Sequence, residues 1–210
     1  MKRILVVRYD TIGDSIFASA FLRELRFNLP DAQIDVLADA PAKSLLVDCP
    51  YVDNFINIFH KRYKYLDTFK YLPVFKQYDT VFFLKHARTF SILMKLAGVE
   101  NRIGFGVRRN KFLTLKVLYN EDRQEVDCYL DLLKAVGLKV TNENTELWIN
   151  PQSEIKIKDL IEESSCNKNL RVVIQAYSRI KEKNWLDKYW IEIIKRNYPI
   201  SHTYLKLMLI

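Results

Sequence analysis

The chain has 210 residues, of which 49% are hydrophobic and 28% are charged, and its formal net charge is +8. No apolar run approaches the roughly 20 residues of a membrane span, and the one near the N-terminus is too short for a signal peptide. These features exclude a transmembrane segment from the sequence and predict a cytosolic protein. The excess of positive charge favours an anionic partner.

The three cysteines, Cys49, Cys128 and Cys166, are far apart in the sequence. Their number is odd, so they cannot all pair with one another, and their spacing is not that of metal ligands. We therefore expect a reducing compartment and no metal site.

Strand and helix patterns alternate over the first 145 residues. Apolar or alternating runs predict strands at 4–7, 33–38, 54–59, 80–84 and 102–105. Helical periodicity predicts helices after Ser15 and over 41–47, 63–76 (broken near Pro73), 89–97 and 125–136, with Gly98 and Gly137 ending the last two. This alternation predicts an α/β domain with a doubly wound parallel sheet.

The pattern restarts near Trp148. A polar helix is expected over 154–163, a strand over 171–175 and a helix over 185–196. This unit resembles the beginning of a second α/β domain, so we predict a first domain over 1–145 and a linker with part of a second domain over 146–210.

The most informative segment is MKRILVVRYDTIGDS at the N-terminus. It predicts a buried strand, a tight turn in which Gly13 allows a bend that a Cβ would obstruct, and a helix start with Asp14 at its N-terminus. That position lies at the C-terminal edge of a parallel sheet, where open α/β folds bind ligands. Asp14 is therefore either a helix N-cap or a general base. The three-glycine dinucleotide fingerprint is missing, which argues against an NAD(P) oxidoreductase.

Basic residues form two local clusters. The first includes Arg62 and Lys64, and the second includes Arg108, Arg109 and Lys111. They form either solvated faces or a site for an anionic ligand. The chain contains no recognition motif of the known nucleic-acid-binding modules, so nucleic acid is not the expected partner.

Five motifs occur in a fixed order along the chain. They are ILVVRYDTIGDSIFASAFLRELR, with its Leu22-Arg23 pair, and then PYVD at 50–53, RIGF at 102–105, YLDLL at 129–133 and SRIKEKNW at 178–185. The ordered set resembles glycosyltransferase family 9, the ADP-heptose:lipopolysaccharide heptosyltransferases, over residues 1–196.

The resemblance implies a GT-B fold of two Rossmann-like domains and a bacterial enzyme of lipopolysaccharide core biosynthesis. It implies inverting, metal-independent transfer of heptose from ADP-heptose to an anionic lipid A–inner core acceptor, without a cofactor, at the cytoplasmic face of the inner membrane. Asp14 would be the catalytic base and Lys183 would meet the donor diphosphate. The further donor-binding residues would be Thr11, Gly13 and Ser178, and the acceptor-binding residues would be Arg62, Lys64, Arg108, Arg109 and Lys111.

The sequence also departs from the family pattern. The family's later D-[TS]-G-x-x-H loop is missing, and the likeness ends after Arg196. Where the family has a histidine before Tyr129, this chain has Val126 and Asp127. We therefore expect a C-terminally truncated copy, with a non-catalytic acceptor-binding fragment as the alternative.

Overall fold

The computed structural model describes residues 1–8, 12–57, 69–85, 88–106, 111–163, 174–178 and 180–197. The chain divides into two compact units, Met1–Trp148 and Ile149–Ile210. The predicted boundary at residue 145 lies just before this division.

The first unit contains a six-stranded sheet. Its strands are β1 (Arg3–Val7), β2 (Gln33–Ala38), β3 (Asn54–Asn57), β4 (Thr80–Phe83), β5 (Asn101–Phe105) and β6 (Leu115–Val117). They are ordered β3-β2-β1-β4-β5-β6, and every pair is parallel. This arrangement confirms the predicted parallel α/β sheet and adds β6, which the sequence analysis did not predict.

Five helices belong to the first unit and two to the second, among the described residues. They are α1 (Ile12–Asn28), α2 (Ala40–Leu46), α3 (Leu72–Phe75), α4 (Arg88–Leu96) and α5 (Glu125–Ala135), then α6 (Pro151–Glu163) and α7 (Asp187–Asn197). Gly98 and Gly137 follow α4 and α5 with φ of 80° and 79°. Both glycines end their helices as predicted, because this left-handed conformation strains residues that carry a Cβ.

Alternate residues of β1 point to opposite faces of the sheet. Ile4 and Val6 pack with α1, α2 and α5, whereas Leu5 and Val7 pack with α3 and α4. All four side chains are fully buried, which explains why residues 4–7 of β1 are continuously apolar instead of alternating. The sheet is therefore covered by helices on both faces.

The strand order reverses at β1. Val6 of β1 lies opposite Val36 of β2 on one side and Phe82 of β4 on the other. The connections from β1 and β4 leave in opposite directions at such a point and open a crevice at the carboxyl ends of the strands. The start of α1 lies at this edge.

Polar side chains of α1 bind the segment that follows α5. Arg23 donates to the carbonyls of Asn142 and Asn144 and pairs with the Glu146 carboxylate. Glu24 accepts hydrogen bonds from the Thr141 backbone N–H (2.7 Å) and hydroxyl (3.0 Å). We call residues 139–146 the strap. It belongs to the first unit and gives Arg23 of the Leu22-Arg23 motif a structural role.

Three sequence predictions need correction or qualification. The helix predicted over 63–76 is described only from residue 69, where a short 3₁₀ turn (Phe69–Tyr71) leads into α3. Pro73 lies in the first turn of α3, where its missing N–H breaks no helical hydrogen bond, so it does not interrupt that helix. The last helix begins at Asp187 and not at Trp185.

The strand predicted over 171–175 lies mostly outside the described residues. Ile174 and Gln175 are described and belong to no strand. In the second unit, α6 and α7 both carry exposed apolar side chains, among them Ile155, Ile157, Tyr189 and Ile191.

Candidate functional site

Asp14 is the third residue of α1 and lies near the C-terminal end of β1. Its side chain is 36% exposed, and its Oδ2 forms an ion pair with the Arg8 guanidinium. An N-cap residue precedes the first helical residue, so the N-cap interpretation of Asp14 is wrong. A carboxylate in the first helical turn is favoured by the helix dipole and remains accessible to solvent.

Arg8 is the first residue after β1. Although it is charged, it is only 3% exposed. Its backbone N–H donates to the Leu37 carbonyl at 3.2 Å, which extends the β1–β2 pairing by one residue. Its guanidinium carbon lies 5.9 Å from the centroid of the Tyr129 ring, within the range of a cation–π contact.

The Tyr129 ring that contacts Arg8 belongs to a group of three packed aromatic rings, together with Phe105 and Tyr119. The Phe105 ring centroid is 5.1 Å from that of Tyr119 and 6.4 Å from that of Tyr129. Tyr119 donates its hydroxyl hydrogen bond to the Glu125 carboxylate at the start of α5. This bond, together with burial and the nearby negative charge, raises the pKa of Tyr119 to about 12. Glu125 therefore lies at the same edge of the sheet as Asp14.

Burial is the main reason why the pKa of Tyr129 lies above its ordinary value. Arg8 acts in the opposite direction, while the nearby carboxylates of Glu125 and Asp14 add to the rise. The Tyr129 hydroxyl lies near Glu125 but has no hydrogen bond of normal geometry with a described residue. The phenol is thus neutral and acts on Arg8 through its ring.

Gly13 does not have the role that the sequence suggested. It lies inside α1, its φ is not positive, and an added Cβ would meet no atom within 4 Å. The prediction that a Cβ would obstruct the backbone here is wrong. Thr11 lies outside the described residues, as does the rest of the turn at 9–11.

The second unit brings Ser178 and Lys183 into one loop. The Ser178 N–H donates to Oδ1 of Asn184, and the Ser178 hydroxyl accepts from the Ile180 N–H at 3.3 Å. Lys183 closes a 3₁₀ turn (Lys181–Lys183) through its N–H to the Ile180 carbonyl, at 3.0 Å. Both side chains are exposed, so the hydroxyl and the ammonium of this loop are accessible to solvent.

Only one of the predicted acceptor-binding residues is described. Lys111 is exposed, and Arg62, Lys64, Arg108 and Arg109 lie outside the described residues. Sequence reasoning missed Arg8 and Tyr129 as parts of the site. A charged residue directly after the apolar run at 4–7 was the available signal for Arg8.

Two searches of the described residues were negative. No group of three or more His, Cys, Asp or Glu side chains in those ranges could hold a metal ion. No described helix is long and apolar enough to cross a membrane.

No protein-family model and no curated protein matches the chain. Solved structures do match. A family 9 glycosyltransferase from Veillonella parvula is similar with a TM-score of 0.76 and 19% identity, over 93% of this chain and 59% of that chain. The E. coli ADP-heptose lipopolysaccharide heptosyltransferase II is similar with a TM-score of 0.63 and 22% identity, over 77% and 50%.

A third similar structure is E. coli heptosyltransferase WaaC with ADP, at a TM-score of 0.63 and 13% identity, over 92% of this chain and 62% of that chain. The chain therefore spans about half to three fifths of the length of these proteins. At these identities the likeness concerns the fold, which is the α/β fold of GT-B glycosyltransferases.

Proposed function

We propose that the chain is part of a family 9 glycosyltransferase of lipopolysaccharide core biosynthesis. The proposed reaction is inverting, metal-independent transfer of heptose from ADP-heptose to an anionic lipid A–inner core acceptor. The observation that supports it best is the partly exposed Asp14 carboxylate at the switch point of a sheet whose fold matches that of solved heptosyltransferases. The ordered motifs of the sequence add independent support.

In this proposal Asp14 is the general base. Its carboxylate removes the proton of the acceptor hydroxyl while that oxygen attacks the anomeric carbon of the sugar. The bond between the anomeric carbon and the diphosphate oxygen breaks, and ADP leaves with the bonding electrons. Attack from the face opposite the leaving group inverts the anomeric centre. A base must come within hydrogen-bond reach of the proton, and the exposure of Asp14 permits this.

The loop of Ser178 and Lys183 is proposed to bind the donor diphosphate. An exposed ammonium can approach phosphate oxygens and stabilise the charge that develops on departing ADP. The neighbouring Ser178 hydroxyl and the backbone at Gly13 are further donor contacts in this proposal, together with Thr11. The hydrogen bonds that place Ser178 and Lys183 in one folded loop support it.

The acceptor is proposed to meet the basic clusters. An inner-core acceptor carries carboxylates and phosphates, which Arg62, Lys64, Arg108, Arg109 and Lys111 would bind. Such an acceptor lies in a membrane, so we propose peripheral contact with the cytoplasmic face of the inner membrane. The formal net charge of +8 supports an anionic partner.

A transfer assay tests this function. The purified chain, and the same chain completed with the donor loop of a family 9 glycosyltransferase, are incubated with ADP-heptose and heptose-deficient lipid A–core, and product is detected by mass spectrometry. We expect the completed protein to give heptosylated acceptor with an inverted anomeric centre, unaffected by chelators, and the 210 residues alone to give none, because the family's D-[TS]-G-x-x-H loop is missing from them. Binding of the acceptor by both proteins without turnover by either would instead support the non-catalytic acceptor-binding fragment. If the completed protein shows no turnover and no acceptor binding, the proposal is refuted.

A further inference from the structure

We infer that Arg8 is a positioning residue that fixes the orientation of the Asp14 carboxylate. This inference rests on the proposed function of Asp14 as the base. Arg8 and Asp14 belong to different parts of the fold, since one follows β1 and the other lies in the first turn of α1. Their ion pair ties the candidate base to the sheet as well as to its own helix.

Arg8 is itself held in place from several sides. Its backbone is fixed to β2 through the 3.2 Å hydrogen bond to Leu37. Its guanidinium lies over the ring of Tyr129, a residue of α5 that is fully buried against the sheet. A side chain packed in this way has few rotamers available, so it can serve as a fixed reference for a partner.

The exposure of the two partners differs in a way that suits this role. The Arg8 side chain is almost fully buried, whereas the Asp14 side chain is about one third exposed. Here the cation is enclosed and the carboxylate is reachable from solvent, so an acceptor hydroxyl can approach Asp14 while the planar guanidinium holds it.

The consequence for catalysis concerns orientation. Aspartate in a helix has several accessible χ1 rotamers, and a base displaced by about 1 Å loses on the order of 100-fold in rate. Holding one rotamer improves the chemical step and leaves ground-state binding of the acceptor unchanged. Loss of Arg8 should therefore lower kcat with little change in KM.

The test combines a conformational measurement on the full chain with a kinetic measurement on the same chain completed with the donor loop. Three-bond carbon and nitrogen couplings of labelled protein report the χ1 populations of Asp14. We expect one dominant rotamer in the wild type and a mixture in Arg8→Met, which keeps a long apolar stem over Tyr129. We expect kcat of Arg8→Met to fall about 10- to 100-fold with KM within about twofold.

Two further variants act as controls. Arg8→Lys keeps the charge without the planar fork and should give an intermediate rotamer distribution and an intermediate kcat, even if Arg8→Met proves unstable. Tyr129→Phe keeps the ring and removes a hydroxyl that has no normal hydrogen bond with a described residue, so the rotamer of Asp14 should persist.

The outcomes separate this inference from the proposed function. A single Asp14 rotamer in both Arg8 variants would overturn the positioning role. The role would also be overturned if both Arg8 variants had the kcat of the wild type while Asp14→Asn was inactive. Absence of transfer by the wild-type chain completed with the donor loop would count against the proposed function alone. The rotamer measurement would still decide whether Arg8 orients Asp14.

Discussion

Replacing Arg23 by methionine should strongly destabilise the first unit. Arg23 is 3% exposed and Glu24 is 1% exposed, and the guanidinium also pairs with Glu146 of the strap. Methionine fills a similar volume, but it leaves the Glu24 carboxylate buried without the Arg23 charge. It also removes the hydrogen bonds that Arg23 donates to the Asn142 and Asn144 carbonyls of the strap. Breaking a buried pair in this way typically costs about 3–5 kcal/mol.

Urea unfolding measures this cost. Trp148 reports on the first unit, and replacing Trp185 and Trp190 by phenylalanine removes the signal of the second unit. With a slope of about 2 kcal/mol per molar urea, the expected loss shifts the unfolding midpoint by about 1.5–2.5 M. Hydrogen exchange should accelerate at the amide of Thr141, which donates to Glu24.

A surface ion pair provides the matched control. Arg123 pairs with Asp131 and is 39% exposed. Arg123→Met makes the same chemical change and should cost less than about 1 kcal/mol. If Arg23→Met shifts the midpoint no more than Arg123→Met does, the strap is not held by Arg23 and our reasoning about the buried network is refuted.

Three further outcomes are expected. Burial alone would raise the pKa of Glu24, but hydrogen bonds from Thr141 and the Arg23 charge lower it. The contribution of the Glu24 carboxylate to stability is therefore complete above about pH 4.5 and is lost as the pH falls. Acid unfolding of Glu24→Gln that is identical to that of the wild type would contradict this. Gly104→Ala should cost about 1–3 kcal/mol in thermal unfolding, because its Cβ would lie 2.9 Å from the Phe83 Cβ, whereas Gly13→Ala should not destabilise. Binding of the chain to anionic vesicles should weaken between about 0.05 and 0.5 M salt, and salt-independent binding would argue against the basic clusters as its cause.

Most of the sheet could be predicted because its strands are buried on both faces. Segments such as residues 4–7 and 81–83 are continuous apolar runs, and the helices between the strands have clear periodicity. β6 was missed because Leu115–Val117 has only three residues at the edge of the sheet and one of them is a lysine. Such a short segment has no pattern of its own and is defined by its pairing with β5.

The site was predicted less completely because its interactions connect distant residues. The sequence indicated that Asp14 lies at the edge of the sheet, but its partner Arg8 and the support from Tyr129 depend on how β1 and α5 pack. The same holds for Arg23, whose strap partners are more than 100 residues away in the sequence. Gly13 was misjudged because a glycine before a helix was taken to indicate a bend.

The turnover number of Asp14→Asn tests the central claim most directly. Asparagine keeps the shape of the side chain but cannot accept the proton. In the chain completed with the donor loop, kcat for heptose transfer should therefore fall by about two to four orders of magnitude while acceptor binding persists. Asp31→Asn, the same change at an exposed aspartate before β2 on the opposite edge of the sheet, should leave kcat unchanged. Turnover of Asp14→Asn within a few-fold of wild type would contradict the assignment of Asp14 as the catalytic base.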